Sequence, residues 1–460
     1  MLAGCPGPVA GAGETGSESS SGGGATTGEP GTTGDTPTTG DMTTTTTGEP
    51  ASSSSESSTG APEPVCGDGV VGGEELCDDG METPDDDGCD AKCKPNAVVL
   101  WTQSWDGALK DDDAEGLAVD GAGNIYVAGS TTKADLQVDA VVRKLDATGK
   151  EVQSFAYVGP AGLDDVARSI AVDADGNIYV AGIEEFVEKQ FRGWARKYDP
   201  TGKQLWVYER NAEVMDGDAV INKIVLDGDA AYILGSEVVG DLDTSQYFLQ
   251  RLGTTDGKPT WTAIVDDAVG TYRLGLAVGP DGELLVAGGV IDPMNDERQP
   301  WVGKFSAAGK LLWSQTGYLA GGGFAMGAAV GPNGELAVTG LGYQFNDYNV
   351  WVASLDPTGA VIWEDYISTE GYDVGHSVAF GAGGELYLGG YVNSTSELSN
   401  TLVRRYTPAG LPYWTDKYND AIDLYDGVGA VLVTPTMIVA AGSESVAKHG
   451  SNQWIRAYAP

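Results

Sequence analysis

Cysteine is missing from most of this chain: Cys5, Cys66, Cys77, Cys89 and Cys93 all lie near the N-terminus, and none follows. The long C-terminal part therefore has no disulfide, no thiolate metal site and no thiol nucleophile. Histidine is almost as scarce, with only His376 and His449. No run of about 18 apolar residues occurs, so no segment reads as a membrane-spanning helix. Bases are few, with Lys+Arg 26 against Asp+Glu 67 and a net charge of -41. The acidic excess is spread along the chain: residues 1–64 hold eight acids and no base, and residues 65–95 hold ten acids and two bases. Such a surface repels a polyanion, which excludes nucleic acid as a partner. The acidity reads as solubility outside the cell, with a cationic or calcium-rich partner as the alternative.

What is present begins with Leu2-Ala3-Gly4-Cys5. This resembles the lipobox of bacterial lipoproteins, which implies a diacylglyceryl group on Cys5 and a basic, apolar signal upstream. Residues 1–5 are read as the remnant of that signal. The tract 6–64 is dominated by Gly, Thr, Ser, Glu and Pro, with TTGEP recurring. It has almost nothing apolar to bury, so no core offsets the entropy of ordering it, and a disordered linker is expected.

Residues 65–95 carry Cys66-Gly67-Asp68-Gly69, the pair Glu74-Glu75, Cys77-Asp78-Asp79-Gly80, and Asp87-Gly88-Cys89 followed by Cys93. This combination resembles the short Myxococcus cysteine-rich repeat, departing from it in Leu76 between the acid pair and Cys77. The resemblance implies an extracellular module in which Cys66, Cys77, Cys89 and Cys93 form disulfides. About 30 residues need such cross-links in place of a core. Four cysteines allow three pairings, and the sequence does not choose among them. Zinc is the competing reading, but the spacing lacks the close CxxC pair of zinc knuckles. Carboxylates at Asp68, Asp78 and Asp79 offer oxygen ligands for calcium, against the alternative of a solvated acidic loop.

From about residue 96 the chain is periodic. GLAVDGAGNIYVAG at 116–129 returns as SIAVDADGNIYVAG at 169–182, GLAVGPDGELLVAG at 275–288 and GAAVGPNGELAVTG at 327–340. The closing glycines Gly129, Gly182, Gly235, Gly288, Gly340, Gly389 and Gly442 mark seven units. Each unit reads as four strands: an alternating strand, a DG- or NG-type turn, a second strand, a variable loop, a third strand, and a TG turn into a fourth. A tryptophan follows that turn glycine by four residues at Trp206, Trp261, Trp313, Trp363 and Trp414, where the first unit has Gln153. Four-stranded units at this period are propeller blades. The seventh unit lacks a fourth strand, and Val98-Val99-Leu100-Trp101-Thr102 has the right character to supply it. The fold expected for residues 96–460 is thus an all-β, seven-bladed propeller closed by its N-terminal strand. The repeats resemble the bacterial β-propeller repeats of secreted proteins. They also look like the tryptophan-docked repeats of pyrroloquinoline-quinone proteins, but that family implies eight blades and a vicinal cysteine pair. No quinone, and no other cofactor apart from calcium, is expected.

Candidate site residues fall on the face that carries the long, dissimilar loops. Asp112, Asp165, Asp218, Asp373 and Asp426 each precede an innermost strand. They read either as a carboxylate ring at the channel mouth or as aspartates holding backbone N–H groups of the inter-blade turns. Tyr343, Phe345, Tyr348, Tyr372 and Tyr391, with Tyr318 and Phe324, gather in the loops of units four to six. Exposed together they suit sugar rings or a protein partner, and otherwise they pack the loops down. No nucleophile, base and orienting group stand in one recognisable set. The expectation is a monomeric, non-catalytic recognition or scaffold protein, exported and lipid-anchored at the cell surface or outer membrane, that binds a protein or polysaccharide. The alternative is a lyase or hydrolase acting at the channel mouth, with His376 as base.

Overall fold

The computed structural model describes residues 96–460, apart from 107–110, 135, 188, 215–216, 241–244, 269–272, 292–296, 320, 345–346, 370, 394–398, 419–425 and 447–449. Cys5, Cys66, Cys77, Cys89, Cys93, Asp68, Asp78, Asp79, Phe345 and His449 lie outside the described residues.

Alternation and turn chemistry translate directly into blades. In the first blade Asp113–Val119, Ile125–Thr132, Val138–Leu145 and Glu151–Tyr157 pair in sequence order, each antiparallel to the next. The turn after the first strand is held by Asp120, whose Oδ1 accepts the N–H groups of Ala122 (3.0 Å) and Asn124 (2.9 Å). The second strand, IYVAGSTT, is a nearly continuous buried run because neighbouring blades cover both of its faces. The outer strand Glu151–Tyr157 alternates between half-buried and exposed residues, since only one face is covered.

Six further units repeat this plan, giving 28 strands in seven blades among the described residues. Their innermost strands are Asp165–Val172, Ala219–Asp227, Gly275–Val278, Gly323–Val330, Val374–Phe380 and Gly427–Val433. Blades three and four are joined by a single ladder pair, Ala268 with Val290. Ring closure is as the sequence predicts: Val99–Trp105 pairs antiparallel with Gly450–Tyr458 as the fourth strand of blade seven.

Apolar side chains fill the spaces between blades. Tyr126 and Val142 of blade one pack with Ile170, Val180 and Trp194 of blade two, and a matching cluster joins each later pair. The last, with Ile125 and Val127 against Val439 and Ile455, joins blade seven back to blade one. The repeated tryptophans lock the outer edges. Trp363 Nε1 donates to the Pro408 carbonyl at 3.2 Å, and its indole covers Gly410 in the turn of the next blade. Gly410 has φ +82°, and a Cβ there would sit 2.5 Å from the ring, so both the backbone and the dock require glycine. Trp101 of the closing strand covers Gly149 in the same way. Blade one has Gln153 at the tryptophan position, and Phe155, two residues on and on the same face, covers Gly202 instead.

Candidate functional site

The innermost strands do not run smoothly through the ring. In six blades the ladder skips one residue at the same point, between Ala114/Gly116, Ala167/Ser169, Ile221/Lys223, Ala325/Gly327, Gly375/Ser377 and Val428/Ala430. The skipped residues are Glu115, Arg168, Asn222, Met326, His376 and Gly429. A bulge re-aims its extra residue away from the ladder, and here all but Gly429 line one pocket in the central shaft. Lys223, Arg273 and Leu274 complete its wall. Each bulge comes two or three residues after its strand begins, so the ring lies near the face that carries the long loops.

Two of the charged residues break the sevenfold pattern. The place in the ladder held by Asp113 is Val166, Val220, Phe324, Val374 and Gly427 in other blades. The place held by Lys223 is Gly116, Ser169, Gly275, Gly327, Ser377 and Ala430. The fold plainly accepts small or apolar residues at both. Arg273 of blade four reaches across the shaft, where its Nη2 lies 2.8 Å from Glu115 Oε1 and 4.0 Å from Asp113 Oδ2. Gly429 lies beside this crossing: a Cβ there would come 2.8 Å from the Ala114 carbonyl oxygen and only into ordinary contact, 3.4 Å, with Arg273 Nη1.

The shaft is narrow and leaves room for about one water between these side chains. They touch water yet are enclosed by protein, and their proton affinities reflect the enclosure. Burial, and then the neighbouring Glu115 charge, push the Asp113 carboxyl up to about 7. Burial acts on Glu115 too, but Arg273, Arg168 and Lys223 outweigh it and hold the carboxyl below its ordinary value. Burial, then Arg273, bring Lys223 down to about 8. The same two causes, in the same order, take His376 down to about 3. His376 Nδ1 stands 3.0 Å from the Val428 carbonyl. A carbonyl only accepts, so Nδ1 carries the proton of a neutral ring. The groups poised near neutral pH are Asp113 and Lys223, and His376 is too weakly basic for the role of base expected of it.

The aromatic residues divide. Phe324 is buried with Met326, Leu341 and Val374, and Tyr318 donates its hydroxyl to the Gly359 carbonyl at 3.1 Å while packing on Trp351. These two are packing groups. Tyr343, Tyr348 and Tyr372 form a row, with ring centroids 5.2 Å apart at each step. Tyr343 is 41% exposed at the outer end of the row. Tyr348, Tyr372 and Tyr391 rest half-buried against the Phe324 cluster. Tyr391 in turn meets the His376 ring edge-on at 5.5 Å, so the aromatic residues extend from the loop face to the shaft wall.

Of the two readings of the five aspartates, a carboxylate ring or clips on backbone N–H groups, the structure shows the clips. Asp112 accepts the Thr132 N–H (2.6 Å), Asp218 that of Phe191 (2.9 Å), and Asp426 that of Ser445 (2.6 Å). Asp165 accepts the Gly159 N–H, and Asp373 those of Thr369 (2.7 Å) and Asn393 (2.8 Å). All but Asp218 are fully buried. Their carboxylates satisfy backbone donors at the blade tops. Sequence reasoning missed Glu115, Arg168, Asn222, Lys223 and Arg273. The signal for Lys223 was there: a long cation at a position that is glycine, serine or alanine in every other repeat.

Fold and site together define a seven-bladed β-propeller with a charged shaft. Two segments, 107–137 and 155–182, match the family model of a beta-propeller repeat (SBBP), and residues 56–94 match a domain of unknown function, DUF4215. No curated protein sequence matches the chain. Among solved structures, Sqt1 from Chaetomium thermophilum is similar over 74% of this chain and 83% of its own, with 15% identity and a TM-score of 0.45. Puromycin hydrolase is similar over 76% of this chain and 53% of its own, with 14% identity and a TM-score of 0.45. An acylaminoacyl peptidase from Pyrococcus horikoshii is similar over 74% of this chain and 50% of its own, with 6% identity and a TM-score of 0.45. The expectation that the chain is not an enzyme is withdrawn, since puromycin hydrolase, the peptidase and a gluconolactonase stand among the similar structures. At these identities they speak for the fold alone.

Proposed function

We propose that this propeller is a recognition domain displayed outside a bacterial cell, which takes a glycan or protein ligand on its loop face. The observation that carries the reading is the row Tyr343, Tyr348, Tyr372, exposed at one end and leading toward the shaft. Ring faces with a phenolic edge suit a sugar or a peptide side chain, which offers apolar faces and hydroxyl or amide partners together. Display outside the cell rests on the sequence: a lipid on Cys5, a linker over 6–64, and disulfides among Cys66, Cys77, Cys89 and Cys93 within the 56–94 match. Calcium, if the chain binds it, belongs on this reading to Asp68, Asp78 and Asp79.

A glycan array probed with the purified protein tests the ligand, and Tyr343→Ala and Tyr348→Ala test the surface. Each replacement is expected to weaken binding by roughly tenfold or more, with the fold unchanged by circular dichroism. Undiminished binding by both variants would defeat the reading. A second reading, a lyase or hydrolase working at the channel mouth, is favoured by Asp113 and Lys223, which exchange protons at about 7 and about 8.

A further inference from the structure

We propose that the upper shaft is a binding site for a small anion, a carboxylate or other oxyanion head, received by Asn222 and Lys223 between Arg168 and Arg273. The donors come first. Arg168 Nη1 donates to Asn222 Oδ1 at 3.0 Å, which turns the amide NH2 of Asn222 the other way. That nitrogen is buried, in a residue 3% exposed, and has no hydrogen-bond partner among the described residues. A buried amide donor without an acceptor is destabilising, so one that persists calls for an explanation. The adjacent Lys223 ammonium has neither hydrogen bond nor ion pair among the described residues, although it stands in the same wall.

The charge agrees. Arg168, Lys223 and Arg273 meet one firmly ionised acid, Glu115, which Arg273 already engages at 2.8 Å. Asp113, pushed up to about 7 by burial and then by Glu115, is only about half ionised at neutral pH and balances them in part. A protein of net charge -41 thus concentrates a positive excess at the centre of its ring. A metal ion would be repelled there. A neutral hydroxylic ligand would leave the cations uncompensated, whereas an oxyanion brings acceptors and charge together. The free space holds only about one water, so the head must be small, with the flexible Lys223 and Met326 side chains drawing aside for anything larger. The site shares no residue with the tyrosine row and stands or falls independently of it.

The test is thermal denaturation and calorimetric titration of the full chain at constant ionic strength, with sodium formate, acetate, phosphate and glucuronate against chloride. At least one oxyanion is expected to raise Tm saturably, and Lys223→Met and Asn222→Asp to weaken its binding tenfold or more. Asn222→Asp keeps the volume but turns the donor into an acceptor. Lys150→Met, in an exposed turn, is expected to bind as the parent does. Glucuronate binding more tightly than formate would make the anion the head of a larger ligand, and equal binding would make it the whole ligand; both support the site. An equal response to every salt, chloride included, would overturn it, as would undiminished binding by Lys223→Met.

Discussion

Removing residues 99–105 takes away the strand that closes the ring, and the structure sets the scale of the loss. Six residue pairs join this strand to Gly450–Tyr458, from Val99 with Tyr458 to Trp105 with Gln453. At about 1 kcal/mol net per hydrogen bond, the ladder contributes on the order of 6 kcal/mol. Trp101 adds its dock: Nε1 donates to the Ala147 carbonyl at 3.2 Å, and the indole lies over Gly149. A fully buried tryptophan truncated to alanine costs about 3–5 kcal/mol, and this partly buried one about 2–3. The total, on the order of 8 kcal/mol, is comparable to the whole stability of a typical domain, and the deletion also bares the edge of Gly450–Tyr458. The deleted chain is therefore expected to lose cooperative unfolding, or to aggregate. Urea titrations followed by tryptophan fluorescence and near-ultraviolet circular dichroism read both effects. Trp101→Ala should lose about 2–3 kcal/mol, while Leu100→Ser, its 48% exposed neighbour, should stay within about 0.5. A deleted chain as stable and cooperative as its parent would refute closure by this strand. So would a Trp101→Ala loss no larger than that of Leu100→Ser.

Gly410→Ala should lose about 2 kcal/mol or more in the same titrations, because alanine at φ +82° is strained and its methyl displaces Trp363; an unchanged midpoint would mean that the dock is slack. Stability should also fall as pH rises from about 4 to about 7. Asp113 and Asp165 both have folded pKa values raised to about 7 from 3.8, so the fold holds their protons longer than the unfolded chain does. Their contribution is complete below about pH 4 and is lost as pH climbs through 7. Asp113→Asn should flatten that slope without abolishing it, since Asp165 remains, and an unchanged slope would show that Asp113 is not held protonated.

The ring was legible because it is repetitive. Seven copies of one strand pattern reveal blade number, turn type and the missing fourth strand without any single residue having to be read correctly. Tryptophan docking was legible for the same reason, and it failed where a repeat departs: Gln153 read as an absent dock, yet Phe155 covers Gly202. Side-chain direction was less legible. The aspartates before each inner strand read as an open ring or as clips, and the recurrence of their spacing with the repeat favours clips. Only the ladder geometry, with Asp112 on Thr132 and Asp426 on Ser445, turns their carboxylates inward. Tyr318 and Phe324 shared the loops of the tyrosine row but went to the core, because position in a loop does not fix which way a ring points.

The shaft was the least legible part, for a reason that bears on how such a protein works. A β-bulge leaves no mark on hydrophobic alternation: Ala114-Glu115-Gly116 and Gly375-His376-Ser377 read as ordinary strand, and only the skipped pair shows where the middle residue goes. Because every blade but the fourth shows the bulge, the scaffold supplies a ring of inward positions, each at the cost of one residue skipped by its ladder, and their contents are free to vary. They hold an acid, a base, an amide, a thioether, an imidazole and a glycine in Glu115, Arg168, Asn222, Met326, His376 and Gly429. Variation in a ring built by repetition is where selection for chemistry separates from selection for fold. Asp113 and Lys223 carry the logic one step further, placing charge where the other repeats have small or apolar residues. Both bring charge to the shaft at places where other blades hold small or apolar residues, which is what the proposed anion site requires of them.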